Sequence, residues 1–595
     1  MPHVTTRTRG EPTPPRDGTS RGAGAALGLT VVASALGFGA LAAGLLGATS
    51  PVVTVGDALV DHSPRFLTSW AIALFGTADK AVLVTGVLVV LALSGATLGV
   101  VASRRPVAGY VGLGVFTALG LVAVGLRRAD DPGAAVAVVV GAAAGAVALA
   151  VLLRGAGVRT TGPRHAPVGG DTPVGGSTAV DGNTPADEDI RVNGAEPGDA
   201  GSSADARTLT DAGPSGDEAG DGDADGVASD PTTATPGGGR GPGRRRFVLT
   251  TAGVLAASGT AGALGRWAPS LIGGADPSAR LALPSPADPL PDLPSGVDLG
   301  VPGLTPFTTP ATDFYRIDTA LAVPRIDPSR WTLRVHGRVD RPFEITMAEL
   351  LSRDLVEADV TLSCVSNQVG GDLVGNTRWL GFPLADLLRE AGVHADADQI
   401  LSTSDDGWTC GTPTETVLDG RDALLAVGMG GRPLPPEHGF PARLVVPGLY
   451  GFVSATKWVT DIKLTRFADE RAYWAQRGWG VRAPIKTMSR IDVPAPLGRV
   501  ASGEVALAGV AWAQHRGVAG VEVRLDGGEW WEAELARVPG IDTWVQWVAE
   551  TTVEPGGHAV EVRATDATGF TQPSERVDPV PDGATGWHRI RFTAT

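Results

Sequence analysis

The chain has 595 residues, 49 of them Lys or Arg and 64 Asp or Glu, for a formal net charge of −15, and only two cysteines. Two cysteines exclude a disulfide scaffold, a C-x-x-C-H haem site and a C-x-x-C zinc site, and the acidic balance argues against a nucleic-acid partner. The 82 glycines and 45 prolines exceed a fifth of the chain, more than one compact globule carries, and point to linkers and glycine-lined membrane helices.

In chain order, residues 1–22 form an Arg-bearing tail that is expected to be cytoplasmic. Residues 23–153 hold four uncharged runs, 24–48, 81–102, 107–126 and 133–153. Each has the roughly 20 residues needed to cross about 30 Å of hydrocarbon, so four transmembrane helices are expected. Between the first two, residues 64–76 (PRFLTSWAIALFG) are apolar but too short to span and read as interfacial or re-entrant. Arg127 and Arg128 fall on the outer side, against the positive-inside rule. Residues 154–243 read as a disordered linker. Between 171 and 230 they carry fifteen acidic and two basic residues, a net of −13, with too little apolar surface to offset the entropy of ordering. Residues 244–266 open on Arg244, Arg245 and Arg246 ahead of a fifth apolar run. The string GRRRFVLT resembles a twin-arginine export signal, and it equally suits a positive-inside membrane anchor. Five spans put everything beyond outside the cytoplasm.

Residues 267–304 are a Pro-rich tether, followed by a mixed region at 305–485 and an all-β region at 486–595. WTLRVHG and RLVVPG read as strands, while FPLADLLREAG has helical spacing and ends on Gly392 as a C-cap. In the last region VALAGVAWA, VAGVEVRLDGG, WVQWVAETTV and HAVEVRATDATG alternate apolar and polar residues between D-G and D-A-T-G turns, the pattern of a small antiparallel sandwich.

Few residues here can carry chemistry. Cys364, in VTLSCVSNQVGG, ends a β-like run and opens a Gly-rich loop where a soft thiolate could meet a metal, and it reads equally as a buried free cysteine with Cys410 as the one available disulfide partner. His438, Arg443 and Lys457 surround two glycine turns in PLPPEHGFPARLVVPGLYGFVSATKW, a set suited to a phosphate and a polar heterocycle, or else surface and structural groups.

Four ordered motifs, CVSN at Cys364, GNTRWLGFPLADLL from Gly375, LLAVGMGGRPLPPEHGFPARLVVPG from Leu424 and TKW ending at Trp458, resemble the sulfite oxidase family of molybdenum enzymes. The all-β tail resembles the dimerisation domain that follows the catalytic domain in that family, and the resemblance covers about residues 305–595. It implies an α+β molybdopterin domain joined to an immunoglobulin-like β-sandwich, which follow the α-helical membrane region read from the apolar runs. It further implies Cys364 as the sole protein ligand of molybdenum, His438 and Arg443 on the pterin and its phosphate, and Lys457, Ser454 and Tyr315 as further cofactor contacts. A molybdenum-bound Cys364 leaves Cys410 as a free thiol. One thiolate and two dithiolene sulfurs leave the metal with positions for oxygen-atom transfer coupled to two electrons.

Two departures bear on the substrate. Where sulfite-oxidising members carry Arg-Asn-His, this chain reads RIDTALAVP, with Arg316 and Asp318, and CVSN is followed by Gln368 and Val369 rather than arginines. Trp479 aligns where sulfite oxidases place a Tyr near the substrate, and it reads equally as a core aromatic. None of the nine histidines lies in the five apolar runs, so no haem is expected, and electrons must come from a separate protein or a quinone. The expectation is a multi-pass membrane oxidoreductase with its catalytic half extracytoplasmic, acting on a small S- or N-containing molecule and leaning to S- or N-oxide reduction. The alternatives are sulfite-type oxidation and a cofactor-free surface binding module, and the tail leaves a homodimer open.

Overall fold

A computed structural model describes residues 20–63, 74, 79–127, 131–155, 242–272 and 277–595. The N-terminal part is helical: α1 (Arg21–Leu46), α2 (Pro51–His62), α3 (Asp79–Ala102), α4 (Pro106–Gly125), α5 (Pro132–Gly155) and α6 (Pro242–Ile272). All but α2 are long and apolar enough to cross a membrane, and they coincide with the five runs read from the sequence. Of the acidic linker read at 154–243, residues 156–241 lie outside the described residues while its ends fall in α5 and α6; nearly all of the 64–76 segment and the side chain of Arg244 also lie outside them.

Glycines set the helix spacing. A Cβ on Gly28 would strike the backbone of Gly95 and Gly99, one on Gly37 would strike Ser258, and one on Gly44 would strike Gly265. Backbones therefore meet at α1–α3 and α1–α6, the small-residue packing expected where lipid supplies no hydrophobic drive between helices. The Ser34 and Ser258 hydroxyls add a 2.9 Å hydrogen bond across the second contact. The short helix α2, which the sequence reading did not single out, is interrupted by Asp57 and Asp61. Its Asp57 pairs with Arg127 at 3.0 Å, and Arg127 also meets Asp131 at 3.5 Å, so the Arg127 charge is locally neutralised, while Arg128 lies outside the described residues.

From Pro277 the Pro-rich stretch expected to be a tether packs onto the domain that follows. Ala287 N–H donates to the Leu355 carbonyl at 2.8 Å and Leu299 N–H to Gln546 Oε1 at 2.7 Å, while Val297 is buried in the core. Proline removes donors but not apolar surface, so the segment binds through its side chains and its remaining amides.

The mixed domain contains β1 (Thr332–Gly337), β2 (Phe343–Thr346), α7 (Met347–Leu351), β3 (Val356–Ser363), β4 (Val374–Pro383), α8 (Leu384–Ala391), β5 (Gln399–Ser404), β6 (Thr409–Pro413), β7 (Leu424–Met429), β8 (Arg432–Pro433), β9 (Arg443–Val445) and β10 (Val459–Thr465). One sheet has the order β2-β1-β10-β5-β6, with β1 and β10 parallel. The other has the order β3-β4-β7-β8, with β9 added to β7. Helix α8 buries Leu384, Leu387, Leu388 and Ala391 on one face. It stops at Gly392, whose φ of 70° lets its N–H close back on the Leu388 carbonyl at 3.1 Å.

Beyond it come only strands: β11 (Met488–Val493), β12 (Arg499–Val500), β13 (Gly503–Trp512), β14 (Val518–Leu525), β15 (Trp531–Glu532), β16 (Glu534–Leu535), β17 (Val545–Val553), β18 (Gly556–Asp566) and β19 (His588–Ala594). They form two sheets, β11-β13-β17-β16 and β12-β19-β18-β14-β15, whose inner residues share one apolar core around Trp547, Leu507, Val523, Val562 and Phe592. The alternation seen in the sequence is the inward and outward alternation of these strands.

Candidate active site

The site is built where the antiparallel pair β3–β4 ends. Cys364 follows the last residue of β3, its amide donating to the Leu373 carbonyl at 2.9 Å and its carbonyl accepting from Asn367 N–H at 3.0 Å. The CVSN loop is thereby closed on itself, and the Asn367 carboxamide oxygen accepts from Leu373 N–H at 3.0 Å. The all-β domain braces this loop. Arg490, fixed by Asp492 at 2.6 Å, donates to the Gly371 carbonyl at 3.0 Å, and the His588 ring fills the space a Cβ on Gly370 would need. On the preceding strand, Gln514 donates to the Thr361 carbonyl at 3.0 Å.

Cys364 is buried, and burial pushes its thiol pKa up, while hydrogen bonds from Ser366 and the nearby Lys457 charge pull the other way. Such a thiol is poorly ionised alone and needs a cation to become a thiolate. Half-buried Tyr315 stands near it and near Arg443, its phenol pushed up first by burial. Cys410 is fully buried and also free, its thiol pushed up to about 11 by burial.

Three cationic or basic side chains converge here, Lys457 acting on Cys364, Arg443 on the neighbouring Tyr315, and His438 bonded to Arg443. Arg443 starts β9, is 4% exposed, lies 5.0 Å over the Trp379 ring and donates to the His438 carbonyl at 3.0 Å. Burial lowers its pKa to about 10, and the neighbouring Tyr315 raises it only in part. Lys457 donates to the Glu437 carbonyl at 2.9 Å and to Asp318 at 3.2 Å. Burial brings its pKa down to about 8 despite the Asp318 charge. Burial would raise the Asp318 carboxyl, but Lys457, Arg316 and Lys80 together hold it well below the usual carboxylate range. His438 Nε2 lies 2.8 Å from the Ala311 carbonyl, which can only accept, so Nε2 carries the proton. Burial first, then Lys457 and Arg443, lower the imidazole to about 4, so it is neutral at pH 7, and its buried Nδ1 has no partner.

Gly439 makes this convergence possible. Its φ is 107°, and a Cβ there would meet Arg443 Cβ and the Lys457 Cα and Cβ at 3.1 Å. Gly439→Ala is expected to cost about 1–3 kcal/mol through strain and crowding together, and a lowered thermal unfolding midpoint of the full-length protein checks it.

The sequence-predicted residues Cys364, Tyr315, His438, Arg443 and Lys457 are thus brought together. Ser454 is adjacent but committed: its hydroxyl is shared between the Leu449 and Tyr450 carbonyls, each at 3.1 Å, and Thr456 is taken by Ser402 at 2.7 Å. Trp479 packs on Phe452 and Trp474, with ring centroids at 5.8 and 6.2 Å. Missed at the sequence level were Phe314, which packs on Tyr315, Trp379 and His438, and the pairing role of Asp318. Phe314 directly precedes the predicted Tyr315, which was the one local signal for the first, whereas nothing local announced the second.

The donor set tests what could fit. Among the described residues, no group of three or more His, Cys, Asp or Glu side chains could hold a metal ion, so a metal here must arrive with ligands of its own. Lys457 is paired with the Asp318 carboxylate, whereas Arg443 has carbonyl partners and the Tyr315 phenol but no carboxylate among the described residues, and buried charge requires pairing, so an anionic group suits the remaining charge. The orphaned His438 Nδ1 is an acceptor awaiting a ring N–H. A phosphate-bearing heterocycle carrying sulfur-bound metal to Cys364 satisfies all three needs.

Comparison with known proteins agrees. The profile of the oxidoreductase molybdopterin binding domain matches residues 320–474. An uncharacterized oxidoreductase, YuiH, of Bacillus subtilis (strain 168) is 33% identical over 156 residues, covering 26% of this chain and 75% of that protein. Sulfite oxidase of Gallus gallus is 29% identical over 339 residues, covering 48% of this chain and 72% of that protein. Nitrate reductase [NADH] 1 of Oryza sativa subsp. japonica is 29% identical, covering 46% of this chain and 36% of that protein.

Proposed function

Since the chain belongs to the sulfite oxidase family of molybdenum-dependent molybdopterin oxidoreductases, we propose that it is a membrane-anchored enzyme that reduces a small S- or N-oxide outside the cytoplasm. The observation that carries the reading is the convergence of buried Arg443, which has no carboxylate partner among the described residues, Lys457, paired with Asp318 and acting on the buried thiol of Cys364, and a neutral, half-partnered His438. In this reading Cys364 ligates molybdenum, Arg443 and Lys457 hold the anionic pterin phosphate, and His438 Nδ1 accepts from the pterin, with Tyr315 and the Ser454 segment lining the pocket. When bound, the cofactor supplies a two-electron couple and a site for oxygen-atom transfer. The chain orients it, excludes water and fixes the local charge. In the net reaction the S–O or N–O bond breaks, two electrons from a separate carrier protein or quinone and two protons are consumed, and the oxygen leaves as water.

The lean to reduction rests on the missing anion site. Arg316, in the segment where sulfite-oxidising members keep Arg-Asn-His, is tied to Asp318 at 2.8 Å. After CVSN come exposed Gln368 and buried Val369. A neutral oxide suits this surface better than a doubly charged anion. The similarity to a sulfite oxidase over 72% of its length favours sulfite-type oxidation as the second reading.

Topology is supported by charge. Arg21, Arg104, Arg105, Arg154, Arg245 and Arg246 stand at one set of helix ends, whereas the opposite ends approach the C-terminal half. The positive-inside rule makes the first set cytoplasmic. The two-sheet tail we read as the immunoglobulin-like domain of this family.

A substrate screen of the purified full-length protein tests the reading. Oxide-dependent oxidation of a reduced viologen dye is expected for at least one S- or N-oxide. Sulfite-dependent reduction of ferricyanide without any oxide activity would reverse the direction.

A further inference from the structure

We propose that Lys80, at the first turn of α3, is a positioning residue of the cofactor site: it fixes the carboxylate of Asp318 against Lys457, so that the membrane region takes part in the site rather than only anchoring it. The proposal rests on the molybdopterin reading above and adds a residue from a different part of the chain.

Asp318 is the hub. Its side chain is 6% exposed and faces three cations, Lys457 Nζ at 3.2 Å, Arg316 Nε at 2.8 Å and Lys80 Nζ at 2.8 Å. Lys80 also donates to the Ala320 carbonyl at 2.8 Å, gripping the chain at two points two residues apart. The stretch from 316 to 321 is neither helix nor strand, so side-chain ties rather than a ladder hold it in place. A second tie is apolar: the Leu321 side chain packs into the space above Gly56 of α2, where a Cβ would meet it at 2.7 Å. A third runs the other way, from Arg477 to the Asp61 carbonyl at 3.5 Å. The membrane-proximal helix ends therefore bind the very segment in which this chain departs from sulfite-oxidising relatives.

The energetic consequence follows from competition for one ammonium. Asp318 and an anionic cofactor group both draw on Lys457. With Lys80 and Arg316 supplying Asp318, Lys457 can turn its remaining donor to the cofactor. Without Lys80, Asp318 depends more heavily on Lys457, and the segment 316–321 loses its double anchor. The expected effect is the roughly 10- to 100-fold loss typical of partners one shell removed from a metal site.

The experiment uses the full-length protein in detergent, comparing wild type, Lys80→Met, Lys80→Arg, Asp318→Asn and the double variant Lys80→Met with Asp318→Asn. The readouts are the rate of pterin release, followed by the fluorescence of its oxidised form, and molybdenum per chain. Lys80→Met is expected to release pterin roughly 10- to 100-fold faster than wild type, Lys80→Arg to restore most of the retention, and Lys80→Met to add nothing once Asp318 is Asn. Wild-type release from Lys80→Met overturns the proposal. So does an undiminished Lys80→Met effect in the Asp318→Asn background, which would reveal general loosening of the helices. A wild-type protein carrying no pterin at all overturns the molybdopterin reading itself, a result distinct from either.

Discussion

Cys364→Ser is expected to remove oxygen-atom transfer almost entirely, by more than the roughly 10- to 100-fold seen when an outer partner of a metal ligand is lost, while leaving the fold intact. A hydroxyl keeps the size of the side chain but not its softness, so under the proposed ligation the protein would offer no thiolate to the metal. The buried position at the end of β3 is held by backbone bonds to Leu373 and Asn367, which the substitution does not touch. Thermal unfolding should therefore move by only a few degrees, about what 1 kcal/mol produces in a domain of this size. Steady-state kinetics beside a melting curve checks both halves. Full turnover in this variant would remove Cys364 from the site. Cys410→Ser is the matched control: its thiol is fully buried and lies 3.9 Å from the Thr412 hydroxyl.

Arg443→Met is expected to act in opposite directions on cofactor and apoprotein. The arginine is buried on Trp379 and, apart from the neighbouring Tyr315 phenol, has carbonyl partners only. With the cofactor bound, removing the charge strands a buried anionic group, which costs about 2–5 kcal/mol in comparable buried pairs and should show as a matching loss of cofactor retention. Without the cofactor, the guanidinium is a buried charge short of a counter-charge, and an apolar side chain of similar length relieves that cost. The apoprotein of Arg443→Met should therefore melt at or above the wild-type apoprotein, while the loaded variant melts below its wild-type counterpart. Equal shifts in both forms would make Arg443 a structural residue.

The parts of the site legible in the sequence were those whose chemistry sits in short contiguous motifs. Cys364 with its loop, and His438, Arg443 and Lys457 with the glycine turns between them, are each placed by a few neighbouring residues. The helix at Leu384–Ala391 and the strands after Met488 were legible for a related reason, since burial on one face imposes a period on the sequence. What escaped were contacts closed across the fold. Lys80 reads as the charged flank of an apolar run, and nothing near it announces a carboxylate 238 residues away. Asp318 was visible only as part of a missing Arg-Asn-His, not as the partner of Lys457. The hydroxyl of Ser454 looked available in the sequence, but the turn it caps consumes it. The Pro-rich stretch looked like a free tether because proline breaks regular structure, whereas its remaining amides and apolar side chains are enough to bind it to the domain.

The central claim is that Cys364, His438, Arg443 and Lys457 hold a molybdenum-bearing pterin. It is tested most directly by metal and pterin analysis of the full-length protein, purified from cells that make the cofactor. The account predicts about one molybdenum and a matching amount of pterin per chain in wild type, with molybdenum lost in Cys364→Ser. A folded wild-type protein containing neither would contradict it.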